Sequence, residues 1–259
     1  GNDLNDVEFI GNGVAIACGE AGTILRTINN GINWSVVKND SGVINRLVDF
    51  YNSNTGWIIS SYNGRISKTT NGGITWNEIS IITGDGCDIK FTSIDTGYAV
   101  VNSGNNGFLF KTTNSGFNWI SIFSQSNINL YSLYFINNST GYMCGSPGIF
   151  KTTNGGINCE SQYSVPYTTL NSMYFINPLT GFAVGSGYMG YTRKLKTTNG
   201  GFNWISIGSG SGSLNAIYFI NDLTGIACAF GRVVRTTDFG ANWADEMFSN
   251  CNVDIRAID

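Results

Sequence analysis

The side chains best suited to contact or chemistry gather where the chain is least regular. Ser186-Gly187-Tyr188-Met189-Gly190-Tyr191-Thr192-Arg193 places two tyrosines, a methionine and an arginine in one glycine-rich run. Tyrosine, methionine and arginine are enriched where proteins meet partners, because each joins broad contact area to a polar or polarizable group. Arg65, Arg193 and Arg232 occupy equivalent places in three segments, where a guanidinium can grip a carboxylate or another anion. Tyr62, Tyr188 and Tyr191 could instead stack on a sugar, with Glu20, Asp40 or Asp85 as candidate acids. Glycosidic hydrolysis needs two carboxylates about 5–10 Å apart, and no pair stands out among the 17 acidic residues. The chain has no histidine. That removes histidine-based triads, histidine general bases and histidine-ligated zinc or haem. No catalytic residue, metal or cofactor is therefore assigned.

The elements that must position these residues are set by repetition. One octet, Thr-x-Asn/Asp-x-Gly-x-x-Trp, recurs six times. Its Asx and final aromatic residues are Asn29 and Trp34, Asn71 and Trp76, Asn114 and Trp119, Asn199 and Trp204, and Asp238 and Trp243. In the fourth copy Asn154 is followed by Cys159 in place of the tryptophan. Successive final positions lie 42, 43, 40, 45 and 39 residues apart. That period, with short β-branched and aromatic runs between glycine and asparagine turns, predicts four strands per unit. In the fifth unit these are Leu170–Ile176, Phe182–Gly185, Lys194–Thr197 and Trp204–Ile207, with Thr180-Gly181 turning the chain. No segment sustains a 3.6-residue period, so almost no helix is expected. The fold class is all-β, a β-propeller of four-stranded antiparallel blades. The single domain 1–259 divides at about 1–42, 43–84, 85–127, 128–167, 168–212 and 213–250, and 251–259 opens another blade.

The octet falls in the hairpin between the third and fourth strands. Its Asx side chain can bond amides of its own turn, its glycine permits positive φ, and its tryptophan anchors the hairpin. Five of the six Asx residues are uncharged Asn, so the motif is structural rather than a metal site. One basic residue precedes each octet: Arg26, Lys68, Lys111, Lys151, Lys196 and Arg235. They are expected to ring the octet side, guarding blade edges or meeting an acidic surface. Cys18, Cys144 and Cys228 share one repeat position with Val100 and Val184, which marks them as small core residues. No disulfide is expected among the six cysteines.

The octet resembles the Asp-box, or BNR repeat, of sialidases, xyloglucan-active glycoside hydrolases and sortilin-type receptors. The longer unit, with Ser132-Leu133-Tyr134-Phe135, Thr140-Gly141-Tyr142-Met143-Cys144-Gly145 and Ile149-Phe150-Lys151-Thr152-Thr153-Asn154-Gly155-Gly156, resembles the photosystem II stability/assembly factor-like propeller family. That resemblance spans essentially the whole chain and implies an assembly or interaction role. Many proteins of this type look like secreted bacterial proteins. The sialidase pattern departs here, since its Phe-Arg-Ile-Pro motif is absent.

Composition narrows the partner. Hydrophobic residues make up 42% and charged residues 12% of the chain, with a net charge of −3. A basic face for nucleic acid is not expected, and no apolar run is long enough for a membrane span. The expected function is a non-catalytic, secreted or surface bacterial propeller that binds a protein partner or assembles with itself. A sialidase-like hydrolase or glycan-binding propeller is the alternative. In this fold the first-to-second and third-to-fourth turns share one face. The loops bearing Tyr62, Arg65, Tyr188, Met189, Tyr191, Arg193 and Arg232 lie on the other.

Overall fold

The computed structural model describes residues 2–208, 210–247 and 256–257. Its strands form six four-stranded antiparallel sheets, each strand pairing with its chain neighbours. The blades of the first half are β1–β4 (Leu4–Gly11, Val14–Gly19, Ile24–Thr27, Ser35–Lys38), β5–β8 (Asn45–Phe50, Gly56–Ser60, Arg65–Thr69, Asn77–Ile81) and β9–β12 (Asp85–Phe91, Gly97–Ser103, Asn106–Thr112, Ile120–Ser126). Those of the second half are β13–β16 (Asn129–Phe135, Gly141–Ser146, Gly148–Thr152, Glu160–Ser164), β17–β20 (Thr169–Phe175, Gly181–Ser186, Thr192–Thr197, Ile205–Ser206) and β21–β24 (Ala216–Phe219, Gly225–Ala229, Arg232–Thr236, Ala244–Met247). The fold is the all-β propeller type, and the helical content among the described residues is one 3-10 turn, Tyr188–Gly190. Two compact units divide at Leu130 and Tyr131. The opening of a further blade over 251–259 falls largely outside the described residues, as does Cys251.

Second strands are the most buried elements, with Ile16, Cys18, Trp57, Ile59, Val100, Cys144, Val184 and Cys228 at the core. The three cysteines thus pack as small apolar residues, and none of the five described cysteines is in a disulfide. Burial raises the thiol pKa of both Cys87 and Cys159 to about 12.

A recurring aromatic joint packs blade on blade within each unit. In the first unit Phe91 of β9 stacks on Trp57 of the preceding blade at 3.4 Å. Its edge meets Trp119, the octet tryptophan of its own blade. In the second unit Phe175 stacks on Tyr142 and meets Trp204, and Phe219 stacks on Phe182 and meets Trp243. Each of these phenyl rings lies flat on the first glycine of its own second strand. A Cβ at Gly97, Gly181 or Gly225 would come within 2.5–2.7 Å of ring carbon. Gly181 is therefore not a turn residue. It is the first residue of β18, paired with Phe175, and its missing side chain makes room for the ring. Trp34 departs from the anchoring expectation, since it remains 39% exposed.

The octet folds the same way six times. In the fifth blade the Thr197 hydroxyl donates to Asn199 Oδ1 (3.0 Å) and accepts the Gly201 N–H (2.9 Å). Asn199 Oδ1 also accepts the Asn203 N–H at 3.0 Å. Thr236, Asp238, Gly240 and Asn242 repeat the pattern with a carboxylate. Fourth and fifth octet residues both have positive φ, as at Phe239 (62°) and Gly240 (71°). The fifth must be glycine for a second reason. A Cβ on Gly73, Gly201 or Gly240 would strike Ile16, Tyr142 or Phe182 of the preceding blade at 2.4–2.5 Å.

The basic residues before the octets are largely turned inward, not outward to an acidic surface. Three of them reach the fourth octet residue of the next blade. Arg26 Nε donates to Gly72 O (2.8 Å), Lys151 Nζ to Gly200 O (2.6 Å) and Lys196 Nζ to Phe239 O (2.7 Å). Second-strand aromatics add to the joint: Trp57 Nε1 donates to Ser115 O and the Tyr142 hydroxyl to Gly200 O. The Lys151 ammonium also sits 5.5 Å from the Tyr142 ring centroid and 4.4 Å from that of Phe202. Lys196 is held likewise by Phe182 and Phe239, and Lys68 by Trp57 and Phe117. Burial lowers the pKa of all three lysines.

Candidate functional site

On the loop side of the second unit, the β18–β19 connection leaves the compact hairpin pattern. Gly187 N–H donates to Tyr191 O at 2.7 Å and closes a small loop around the 3-10 turn. Met189 sits at its tip with φ 58°. The base of the loop is pinned to the connection that follows the blade. Thr192 N–H donates to Gly210 O, its hydroxyl donates to Gly212 O at 2.6 Å, and Tyr191 bridges to Ser211. The frame is therefore tied down while its side chains stand out. Tyr188, Met189 and Tyr191 are 61%, 78% and 58% exposed.

The structure adds a residue that sequence reading missed. Tyr167, in the connection between β16 and β17, is 76% exposed. Its ring lies 5.5 Å from that of Tyr188 at 63°, an edge-to-face contact. The available signal was a Pro166-Tyr167 pair in a short connection that has no hydrophobic strand role. Tyr167, Tyr188, Met189 and Tyr191 thus present an aromatic and thioether surface on one unit. Exposed apolar surface of this kind marks contact sites in proteins that otherwise bury such side chains.

The arginines play different parts. Arg193 lies half-buried under the loop, its guanidinium against Gly187, where a Cβ would approach Nη2 to 2.9 Å. Its Nε has no hydrogen-bond partner. Arg232 is buried and its Nη2 donates to Thr192 Oγ1 at 3.0 Å. Arg193 and Arg232 therefore brace the loop from below. Arg65 belongs to the first unit and is claimed by two carboxylates, Asp40 and Glu78, each at 3.2 Å. Tyr62, also in the first unit, is 75% exposed and its N–H donates to Asp85 Oδ1. Two of the three candidate acids, Asp40 and Asp85, are thus engaged in holding local structure. Among the described residues no group of three or more acidic or cysteine side chains is arranged to hold a metal. No helix there is long and apolar enough to cross a membrane.

Comparison with known proteins gives the fold a context. Residues 28–128 match the family model described as photosynthesis system II assembly factor YCF48. A structure of YCF48 bound to D1 peptide is similar over 95% of this chain and 82% of its own, with a TM-score of 0.73 and 18% identity. YCF48 from Cyanidioschyzon merolae is similar over 95% and 85%, with a TM-score of 0.75 and 16% identity. The GH74 xyloglucanase from Xanthomonas campestris is similar over 95% of this chain but 45% of its own, with a TM-score of 0.76 and 13% identity. No curated protein matches the chain in sequence. At these identities the structural likeness establishes the fold. The family match itself covers 101 of the 259 residues.

Proposed function

We propose that this chain is a photosystem II assembly factor-like β-propeller, a non-catalytic protein that binds a protein partner during assembly of a larger complex. The observation that carries this reading is the pinned loop with Tyr188, Met189 and Tyr191 exposed beside Tyr167. Its frame is held by backbone bonds, so the contact residues are ordered before binding and little entropy is lost on docking. The structural relative with a bound D1 peptide supports a peptide or protein as ligand class. A secreted or cell-surface location in a bacterium fits the low charge and Asn-, Ser- and Gly-rich composition.

The test is affinity capture from the source organism, followed by titration of the purified partner. Replacing Tyr188 and Tyr191 together by Ala is expected to weaken binding at least about 30-fold, the loss of one hot spot of about 2 kcal/mol. Thermal stability should stay near that of the parent, because both rings are exposed. Unchanged affinity would remove this surface from the binding reaction.

The glycan reading draws on the GH74 neighbours and the same exposed aromatic rings. A rise in Tm with xyloglucan oligosaccharides, absent in the Tyr188/Tyr191 double variant, would favour it over the protein reading.

A further inference from the structure

An outer strand presents its far edge as a row of backbone N–H and C=O groups, which another chain can use. Most outer strands here are guarded. β4 carries Lys38, β8 carries Glu78, β16 carries Glu160, β24 carries Asp245 and Glu246, and β20 is only two residues long. β12 has no such guard. Its seven residues, Ile120-Ser121-Ile122-Phe123-Ser124-Gln125-Ser126, include no charge and no proline.

It also runs further than its counterparts. Each of β4, β8, β12 and β16 is bulged after its first two residues. Beyond the bulge β8 and β16 each pair two more residues, whereas β12 pairs four, Phe123–Ser126, with Leu109, Phe108, Gly107 and Asn106. Ile120, Ser121, Ser124, Gln125 and Ser126 are exposed. β12 ends its sheet, with β11 as its paired neighbour. A groove of about 230 Å³ runs beside it, lined by Lys111, Thr113, Asn114, Asn118, Ile120 and Ile122.

We propose that β12 pairs, antiparallel and edge to edge, with β12 of a second copy of this chain. The charge pattern selects that occupant. Across a twofold axis a strand meets its own sequence, so any charge on it meets a like charge nearby. Lys38 and Glu160 oppose self-pairing of β4 and β16 in this way, while Glu78 is already ion-paired with Arg65 and β8 is set apart by its shorter pairing beyond the bulge. β12 alone combines length with freedom from that repulsion, and its Ser and Gln side chains can hydrogen-bond their own counterparts. β12 belongs to the first unit and the aromatic surface to the second.

The experiment is sedimentation equilibrium of the full chain from low micromolar to millimolar concentration. The apparent mass should climb from 28.0 kDa toward twice that value. Ser124→Lys and, separately, Gln125→Lys should each weaken the dimer about tenfold or more, because the new charge enters the twofold pairing twice. Ser164→Lys, at the exposed end of β16, should leave dimerisation unchanged. A mass that stays at 28.0 kDa throughout would overturn the proposal. So would a dimer that both β12 variants leave intact, or one lost in the Tyr188/Tyr191 double variant instead. That last outcome would move self-contact to the aromatic surface. Loss of partner binding with retention of the β12 dimer would leave this inference standing by itself.

Discussion

Asp238 shows what a single octet residue contributes. Its carboxylate accepts the Asn242 N–H at 2.9 Å, a side-chain N–H of the same residue at 2.7 Å and the Thr236 hydroxyl at 2.9 Å. These bonds, led by the Asn242 backbone amide, lower its pKa to about 2. An unfolded aspartate titrates near about 3.9. The folded state therefore binds its proton later, and the stabilisation is complete above about pH 4 and is lost as pH falls toward about 2. Asp238→Asn should match the parent in Tm at neutral pH, because Asn fills this position in the other five blades. Between about pH 4 and pH 2 its Tm should fall less steeply than the parent's. Identical acid profiles would show that Asp238 does not contribute there. The octet was legible in the sequence down to its Asx turn and fifth-position glycine. The positive φ of the fourth residue was legible only where Gly72, Gly155 and Gly200 stand, because Asn30, Ser115 and Phe239 carry no common signature.

At the scale of elements, the joint between blades is built on one carbonyl. Gly200 O accepts both the Lys151 ammonium and the Tyr142 hydroxyl, so either donor can satisfy it alone. Lys151→Met or Tyr142→Phe should each cost about 1 kcal/mol. Together they leave the carbonyl without either donor, and the double variant should lose about 1–3 kcal/mol beyond the sum of the two. Urea unfolding of the four proteins measures this. Strict additivity would mean that the two donors act independently. The sequence showed a basic residue before every octet but pointed it outward. In three blades its target is a backbone carbonyl of the next blade, and carbonyl positions leave no trace in side-chain types. Gly181, which opens β18, was misread as a turn for a similar reason. A turn and a ring-packing site both call for glycine, and only the position of Phe175 tells them apart.

Over the whole molecule, the two units solve the packing of first strands differently. Ahead of the recurring phenylalanine stand Glu8, Asp49 and Lys90 in the first unit, but Tyr134, Tyr174 and Tyr218 in the second. In the first, carboxylates reach the next blade: Glu8 accepts the Phe50 N–H and Asp49 the Phe91 N–H, both at 2.7 Å. Asp49 also pairs with Lys90 and raises its pKa. In the second, tyrosine rings meet edge to face, 5.8 Å and 5.3 Å apart. The loops of the second unit expose aromatic rings, while Lys68, Lys151 and Lys196 are occupied between blades. Partner binding should accordingly change less than about threefold between low and high salt, since apolar contacts are not screened. Retention of captured partner across a salt gradient reads this out. A steep fall would assign binding to basic residues instead.

Six octets at a near-constant period, with alternating apolar strands between them, were enough to specify blades, strand order and the buried place of Cys18, Cys144 and Cys228. Those features are local and repeated, so each copy corroborates the others. Which exposed side chains share a surface is neither local nor repeated. Tyr167 joined Tyr188 because the link from the fourth blade into the fifth meets a loop within the fifth, and Arg65 left the candidate set because Asp40 and Glu78 fold onto it. Those meetings depend on how separate segments pack, and the tertiary structure alone decided them.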